Sequence, residues 1–275
     1  MPDPLKFLEA DGLRLAYVEE GPPEAPAVLL LHGWASSLRM WRSTQSALAT
    51  TFHTFALDLP GHGASSKPSW EWYTMATFSG SVREVCRRLG LSHVCVVGHS
   101  MGGTIAVELA AGNDPAVTGL VLVNPLVSGQ FTQLARPIRE DWMRPVVRVT
   151  RRVWPVAARL LTRPPGVVRS RFPDHVVRNQ EDLGQTTADS ALGSIRAVLA
   201  WDVRDRLDSI HAPTLVVLGD SDRIVPPKEG MIAGDRIRGA RVVHLPAGHH
   251  PPDETPDAFQ AALAAFLGPI YSPRV

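Results

Sequence analysis

The sequence lacks the features that mark several common classes of protein. It has only two cysteines, Cys86 and Cys95, which are too few for a disulfide framework, and no cysteine–histidine pattern has the spacing of a zinc site. No apolar run approaches the roughly 18 residues of a transmembrane helix. The N-terminus carries charges early and lacks the apolar segment of a secretory signal, so we expect a cytoplasmic protein.

The chain also lacks a large net charge of either sign. Its 28 basic and 27 acidic residues give a formal net charge of +1, which argues against bulk binding to nucleic acid. The total conceals an uneven distribution, because ten arginines but only two acidic residues lie between positions 131 and 171. That segment therefore carries +8, and the rest of the chain carries −7.

Short apolar runs bounded by turn residues alternate with segments of helical periodicity. Asp11-Gly12, between two strand-like segments, indicates a hairpin at an antiparallel edge. Six continuous β-rich runs are predicted as buried strands: 27–31, 54–57, 93–97, 120–123, 214–218 and 241–245. Helices are predicted over 75–89, 102–111 and 255–267. The alternation predicts an α/β fold with a mostly parallel, doubly wound sheet, interrupted by a helical insertion at 126–212.

One short motif has the context of a catalytic turn. Gly98-His99-Ser100-Met101-Gly102 follows a predicted strand and opens a predicted helix, as a nucleophile elbow requires. Glycines two residues on either side of Ser100 allow the backbones to approach closely around a sharp turn. The serine hydroxyl is then exposed at a helix N-terminus, where the dipole favours negative charge. The alternative interpretation is an ordinary N-cap serine after a strand.

Partners for such a serine follow other predicted strands. The backbone N–H groups of Trp34 and Met101 are the predicted oxyanion hole, because they flank the elbow. Asp222 comes just after the run 214–218 and His249 just after 241–245. The chain order Ser100, Asp222, His249 is the order of the triad in α/β-hydrolases.

Each of these roles has rivals in the sequence. Asp220 competes with Asp222, and His250 and His244 compete with His249. His244 lies inside a predicted strand and is interpreted as a hydrogen-bonded core histidine. Asn124, at the end of another strand, cannot ionise, so an acid at that position is excluded.

Five motifs in this order resemble the serine-nucleophile branch of the α/β-hydrolase superfamily: HGW, DLPGHGASS, GHSMGG, LGDSDRIVP and GHH. The resemblance implies an α/β-hydrolase core at 1–125 and 213–275, with a helical cap at 126–212. It also implies that Ser100 is the nucleophile, His249 the general base and Asp222 the residue that orients this base. No metal or organic cofactor is implied, and a serine at position 100 makes the epoxide- and halide-cleaving relatives, which use aspartate, poor matches.

The resemblance implies a carboxylesterase that acts through an acyl-enzyme on small to medium acyl esters, with Trp34 beside an apolar acyl pocket. Thioesterase, lactonase, perhydrolase and carbon–carbon hydrolase activities would use the same triad and stay open. A non-catalytic ligand receptor is the hypothesis from a different class, but such a protein usually lacks a triad member, and none is missing here.

The predicted cap contains an amphipathic segment. Its apolar stripe recurs at spacings of three or four, with arginines off the stripe and Pro155 expected to kink or split the helix. The stripe comprises Trp142, Val146, Val149, Val153, Val156 and Leu160, and the arginines are Arg144, Arg148, Arg151 and Arg152. The first expectation is a stripe packed on the core and arginines in water. Two alternatives are an acidic acyl-carrier protein held by the arginines and a membrane surface.

Overall fold

The computed structural model describes residues 4–129, 144–162 and 173–271. Eight strands form a single sheet in the order β1-β2-β4-β3-β5-β6-β7-β8. The strands are β1 Lys6–Ala10, β2 Leu13–Glu20, β3 Ala27–Leu31, β4 His53–Leu57, β5 Val94–His99, β6 Val117–Val123, β7 Thr214–Gly219 and β8 Arg241–Leu245. All pairs from β4 to β8 are parallel, whereas β2 pairs antiparallel with both β1 and β4. The mostly parallel sheet and its antiparallel edge are thus confirmed.

Helices cover both faces of the sheet. Their bounds are α1 Arg42–Leu48, α2 Met75–Arg88, α3 Met101–Ala111, α4 Arg144–Thr162, α5 Asp174–Gly184, α6 Ala188–Leu199, α7 Pro227–Arg236, the short α8 Pro251–Glu254 and α9 Pro256–Tyr271. The predicted hairpin turn has positive φ angles at Asp11 (49°) and Gly12 (76°), a backbone conformation that this dipeptide tolerates. Both cysteines are buried free thiols, as expected.

Alternate residues of each central strand enter different hydrophobic cores. Leu29 and Leu31 of β3 pack in the core under α2, α3 and α7, whereas Val28 and Leu30 pack in the core under α1 and α9. This two-sided burial explains why the central strands are continuous apolar runs without polar alternation. β8 differs from the prediction, because it is an edge strand and Arg241 and His244 are exposed.

Helices α4, α5 and α6 lie between β6 and β7, where the insertion is predicted. The predicted orientation of α4 is wrong: Val149, Val153, Val156 and Leu160 are 62%, 56%, 63% and 71% exposed. Trp142 of the predicted stripe lies outside the described residues. The helix continues through Pro155 without being split. Within the described ranges, no helix is both long and apolar enough to cross a bilayer.

The opposite side of α4 makes the contacts with its neighbours. Arg151 forms two hydrogen bonds with Asp189 of α6, at 2.5 and 2.6 Å, and the Trp154 indole N–H donates to the Thr186 carbonyl at 2.7 Å. Arg151 is therefore paired, although its side chain remains 49% exposed. A carboxylate on the neighbouring helix neutralises the arginine on this side of α4, and the aliphatic side chains point the other way.

Candidate active site

Ser100 occupies the turn between β5 and α3 in a strained conformation. Its φ of 51° and ψ of −115° lie in a region that residues with side chains rarely adopt. The turn is possible because positions 98 and 102 are glycines, since the neighbouring backbone leaves no room there for a side chain. A Cβ on Gly98 would lie 2.3 Å from the Gly102 carbonyl oxygen, and a Cβ on Gly102 would lie 2.3 Å from that of Leu31. The predicted steric role of both glycines is confirmed.

Met101 and Trp34, the residues of the predicted oxyanion hole, line the same cavity as this serine. Met101 is the first residue of α3, so its N–H has no acceptor within the helix. Trp34 follows β3, and its indole N–H donates to the Ala191 carbonyl of α6 at 2.8 Å. Trp34 is 37% exposed, and it lines the same cavity as Ser100 and Met101. Their position at the carboxyl ends of β3 and β5 follows from the parallel pairing of these strands.

Asp222 and His249 meet across the carboxyl ends of β7 and β8. His249 Nδ1 donates to Asp222 Oδ2 at 2.7 Å, and the aspartate side chain is fully buried. The other carboxylate oxygen accepts from the backbone N–H groups of Ile224, at 2.8 Å, and Val225, at 2.9 Å. This carboxylate is fixed by three hydrogen bonds. It holds the imidazole with the proton on Nδ1 and leaves Nε2 as an acceptor.

Ser100 and His249 line one cavity of about 550 Å³. The Ser100 hydroxyl makes no hydrogen bond to the described residues in this conformation. The hydrogen bond between a catalytic serine and its histidine is often long without a substrate and shortens when one binds. The ring of His99, the residue next to Ser100, lies 4.8 Å from the His249 ring between centroids. Ser100 and His249 thus line the same cavity, and Asp222 contacts Nδ1 of His249.

The loop that carries His249 is fixed by residues whose part in the site the sequence did not reveal. The Asn124 amide donates to the carbonyls of Gly248, at 3.0 Å, and His249, at 3.2 Å, and its oxygen accepts the Gly219 N–H at 2.8 Å. Asn124 therefore joins the ends of β6 and β7 to the histidine loop. It has a φ of 45°, which asparagine tolerates better than most residues.

Two further side chains hold the loop of His249 in place. His99 Nε2 donates to the His249 carbonyl at 2.6 Å. The Glu254 carboxylate accepts from the backbone N–H groups of Gly248, at 2.6 Å, and His250, at 2.9 Å. No sequence signal identified Glu254 or the amide of Asn124 as part of the site, because their partners are backbone groups, which leave no pattern of residue types.

The structure separates the rival residues from the Asp222–His249 pair. Asp220 and His244 form a surface pair, with His244 Nδ1 2.8 Å from Asp220 Oδ1. The interpretation of His244 as a core residue is therefore wrong, because edge strand β8 leaves it 48% exposed. His250 lines the cavity, but its Nε2 lies 3.1 Å from the Asn179 amide nitrogen of α5.

Burial keeps the neighbouring histidines neutral. Burial lowers the pKa of His250 to about 4, with a further contribution from the nearby His249. Burial also lowers the pKa of His99 well below its ordinary value, and His249 and His250 add to this effect. A neutral His99 suits its contact, because one nitrogen donates to a carbonyl and no charge is placed beside His249.

The cavity wall is mainly apolar away from the serine. Helices α5 and α6 supply part of it, so the inserted helices and the sheet jointly enclose the space next to Ser100. The apolar lining includes Leu126, Val176, Leu183, Ile195, Val198 and Val225. Arg223 and Glu254 are its charged members. Among the described residues, no group of three or more histidine, cysteine or acidic side chains is arranged to hold a metal ion.

Charged contacts fasten α5 to the sheet domain beside this cavity. Arg178 and Asp253 form a two-pronged ion pair, with distances of 3.0 and 2.7 Å. The buried Asp182 accepts from the Ser37 hydroxyl at 2.8 Å and from Arg39 at 3.0 Å. Because both contacts are specific in geometry, they hold the helix in one position over the site.

Comparison with known proteins agrees with this architecture. A family model for the alpha/beta hydrolase fold matches residues 26–256. The dihydrolipoyllysine-residue acetyltransferase component of the acetoin cleaving system from Cupriavidus necator is 32% identical over 96% of this chain and 69% of the relative. The pimeloyl-[acyl-carrier protein] methyl ester esterase of Nitrosospira multiformis is 30% identical over 88% of this chain and 95% of the relative.

A solved structure of a hydrolase from Pseudomonas aeruginosa PA01 superposes on this chain with a TM-score of 0.82. It is 32% identical and covers 96% of this chain and 98% of its own. The similarity therefore extends over the sheet and the inserted helices together.

Proposed function

The chain belongs to the α/β hydrolase family, and from that premise we propose that it is a serine hydrolase that cleaves carboxylic esters through an acyl-enzyme. One observation carries the proposal: the buried Asp222–His249 pair, joined at 2.7 Å, shares a site with a strained serine at the start of a helix. This set supplies a nucleophile, a base and a fixed orienting charge. No cofactor is required for such chemistry.

The proposed roles follow from the hydrogen bonds. Nε2 of His249 is left as an acceptor, so it takes the proton of Ser100 as the serine oxygen attacks the ester carbonyl carbon. The tetrahedral intermediate collapses, and His249 returns the proton to the departing alcohol. Water then loses a proton to His249 and attacks the acyl-enzyme. As this second tetrahedral intermediate collapses, His249 returns the proton to the serine oxygen, which restores the hydroxyl and releases the carboxylic acid. Asp222 holds the imidazole and stabilises its charged form.

We assign the oxyanion hole to the backbone N–H groups of Trp34 and Met101. The N–H of Met101 has no acceptor within α3, and the dipole of that helix adds to its effect on a developing negative charge. The contact of the Trp34 indole with Ala191 supports the role of this residue, because it fixes the loop after β3. In enzymes of this kind, the loss of one donor costs about 10²–10³ in rate.

We propose residues 126–212 as a cap that closes the acyl site. Helices α5 and α6 contribute apolar side chains to the cavity wall, and the pairs Arg178–Asp253 and Ser37–Asp182 tie α5 to the sheet domain. A cavity of about 550 Å³ with an apolar wall suits esters of small to medium acyl chains. Trp34 is the proposed substrate contact beside the serine.

The names of the relatives are consistent with movement of an acyl group, since one is a methyl ester esterase and another an acetyltransferase component. A serine acyl-enzyme can pass its acyl group to water or to another acceptor. Thioesters, lactones and diketones would meet the same catalytic groups. The choice among these substrates therefore depends on the leaving group that the cavity accepts.

A labelling experiment combined with a substrate panel tests the proposal. We expect a fluorophosphonate to modify Ser100 covalently, as mapped by mass spectrometry of tryptic peptides, and p-nitrophenyl esters to be hydrolysed with an optimum at one acyl length. A panel of matched acyl esters, thioesters, lactones and diketones then ranks the leaving groups. Tight binding of these compounds without turnover and without label on Ser100 would show a receptor instead.

Asn124→Asp is expected to lower kcat by about tenfold to a hundredfold with little change in KM, because a small displacement of a catalytic group has effects of this size. Aspartate matches asparagine in size and tolerates the positive φ. Its carboxylate would face the carbonyl oxygens of Gly248 and His249, to which the amide now donates. Steady-state kinetics on a p-nitrophenyl ester measures the effect.

Asn113→Asp is the matched control, since Asn113 also has a positive φ, of 52°, but is exposed at the end of α3. It should keep the activity of the unmodified protein. If Asn124→Asp also retains full kcat with unchanged thermal stability, the amide of Asn124 does not position His249.

A further inference from the structure

The outer face of α4 combines exposed aliphatic side chains with exposed arginines. Val149, Val153, Val156 and Leu160 are all more than half exposed. Their spacing of four, three and four residues places them within an arc of roughly 60° on the helix. They form a strip about 16 Å long at 1.5 Å per residue. We call these four residues the α4 strip.

Two arginines border the α4 strip. Arg148 and Arg152 are exposed, and the structure shows no hydrogen bond or ion pair from either to any described residue. They lie on one flank of the strip, at roughly 110° and 70° from its centre. Arg151 of the same helix is different, because it points to the opposite side and pairs with Asp189. Arg148 and Arg152 therefore place positive charge beside the apolar strip.

The orientation of α4 makes the strip an outermost surface. The contacts of Arg151 with Asp189 and of Trp154 with Thr186 fix the inner side of the helix against the segment that contains α6. The strip points away from those contacts. Contiguous exposed aliphatic side chains of this kind mark an interaction surface rather than an ordinary solvated one.

We propose that the α4 strip docks this protein on the surface of an anionic lipid bilayer. An aliphatic face with arginines at its margin is the arrangement of a helix that lies in the bilayer interface, with its apolar side chains among the acyl chains and its cations among the headgroups. The charge complementarity is with anionic headgroups, because α4 has no acidic residue in its sequence. The helix does not span the bilayer; it lies along the interface.

Two other occupants fit the α4 strip less well. A second copy of this chain would bring the arginines of both copies to one interface, with no acidic residue of α4 to neutralise them. An acidic protein, such as an acyl-carrier protein, would satisfy Arg148 and Arg152 but would have to cover four aliphatic side chains as well. A bilayer accommodates the four aliphatic side chains among its acyl chains and the two arginines among its headgroups. The proposal concerns binding and does not depend on the proposed esterase activity.

Vesicle flotation with the full chain tests this docking. The probe is large unilamellar vesicles of phosphatidylcholine with about 30% phosphatidylglycerol, compared with phosphatidylcholine alone. We expect the protein to float with the anionic vesicles at low salt and to be mostly released at about 0.5 M NaCl, because salt screens the arginines. The neutral vesicles should retain much less protein.

Variants separate the two contributions. Val149→Ser, Val153→Ser, Val156→Ser and Leu160→Ser, combined, should reduce the partition coefficient by about tenfold or more. Arg148→Gln with Arg152→Gln should reduce it by about fivefold for each arginine and weaken the salt dependence. The matched controls carry exposed residues elsewhere: Leu5→Ser for the strip, and Arg238→Gln with Arg241→Gln for the charges. Both controls should bind like the unmodified protein.

The outcomes that overturn the proposal are distinct. Failure of the unmodified protein to float with anionic vesicles rejects it, as does equal flotation of the strip variant and its control. Light scattering that shows a dimer of the unmodified protein and a monomer of the strip variant assigns the strip to a second copy. Binding to an acidic carrier protein in place of vesicles, lost in the arginine variant, assigns it to a protein partner. Thermal melting of each variant confirms that loss of binding is not loss of fold.

Discussion

Replacing Ser100 by alanine is expected to reduce kcat/KM for p-nitrophenyl butyrate by about 10⁴-fold or more. The substitution removes the oxygen that would form the bond to the acyl group, which the strained turn at Ser100 places at the cavity that His249 also lines. The oxyanion donors and the cavity remain, so a small residual rate over the uncatalysed reaction is expected. Initial rates at several substrate concentrations measure the change.

The fold should survive this substitution. Alanine meets the same φ of 51° that serine adopts, and it is smaller, so no contact is overfilled. The melting temperature of Ser100→Ala should therefore stay close to that of the unmodified protein, and the cavity should still bind the ester. Turnover by Ser100→Ala at the unmodified rate, together with the absence of a fluorophosphonate label on Ser100 of the unmodified protein, would show that another residue is the nucleophile.

Asp222→Asn is expected to lower kcat by about 10⁴-fold while the structure is retained. The asparagine oxygen can still accept the backbone N–H groups of Ile224 and Val225. Its amide nitrogen would then face His249 Nδ1 as a donor, which places the imidazole proton on Nε2. In that tautomer Nε2 cannot take the proton of Ser100. The loss should appear in kcat, with KM for a neutral ester nearly unchanged.

Asp220→Asn is the control for this experiment. Asp220 is two positions away and was the competing acid in the sequence, but it pairs with His244 at the surface. An exposed pair of this type contributes little to stability, so the variant should match the unmodified protein in both rate and melting temperature. If Asp220→Asn proved the more damaging of the two, the assignment of the orienting carboxylate would have to move.

Local patterns were sufficient to predict the elbow. In Gly98-His99-Ser100-Met101-Gly102 the two glycines stand where a side chain would not fit, because an ideal Cβ at either position would lie 2.3 Å from a backbone carbonyl oxygen. The continuous apolar strands were also predictable, because burial on both faces removes polar alternation. Strand ends differed by up to three residues, as for β6, which starts at Val117 rather than at residue 120.

The orientation of α4 was not predictable in this way. Periodicity shows which residues share a face of a helix, but it does not show which face meets the protein. The aliphatic side chains formed the more obvious contact surface. The opposite face of α4 meets the protein instead, because Asp189 of α6 and the Thr186 carbonyl are partners for Arg151 and Trp154. Those partners are more than thirty residues away in sequence.

The same limitation applies to the residues that hold the histidine loop. Asn124, His99 and Glu254 all act through backbone groups, which leave no signature in the amino-acid pattern. The partners of Asn124 and His99 are also remote in sequence. The sequence showed only that Asn124 cannot ionise. Because the ends of the strands lie close together in the fold, Asn124 connects β6 and β7 with the loop of His249.

The sequence by itself determined the sheet, the elbow and the order of Ser100, Asp222 and His249, because each depends on neighbouring residues or on burial. Tertiary structure decided which acid meets His249 and which face of α4 is exposed. These outcomes depend on contacts between distant segments. Such contacts form only when packing brings the ends of the strands and the inserted helices together.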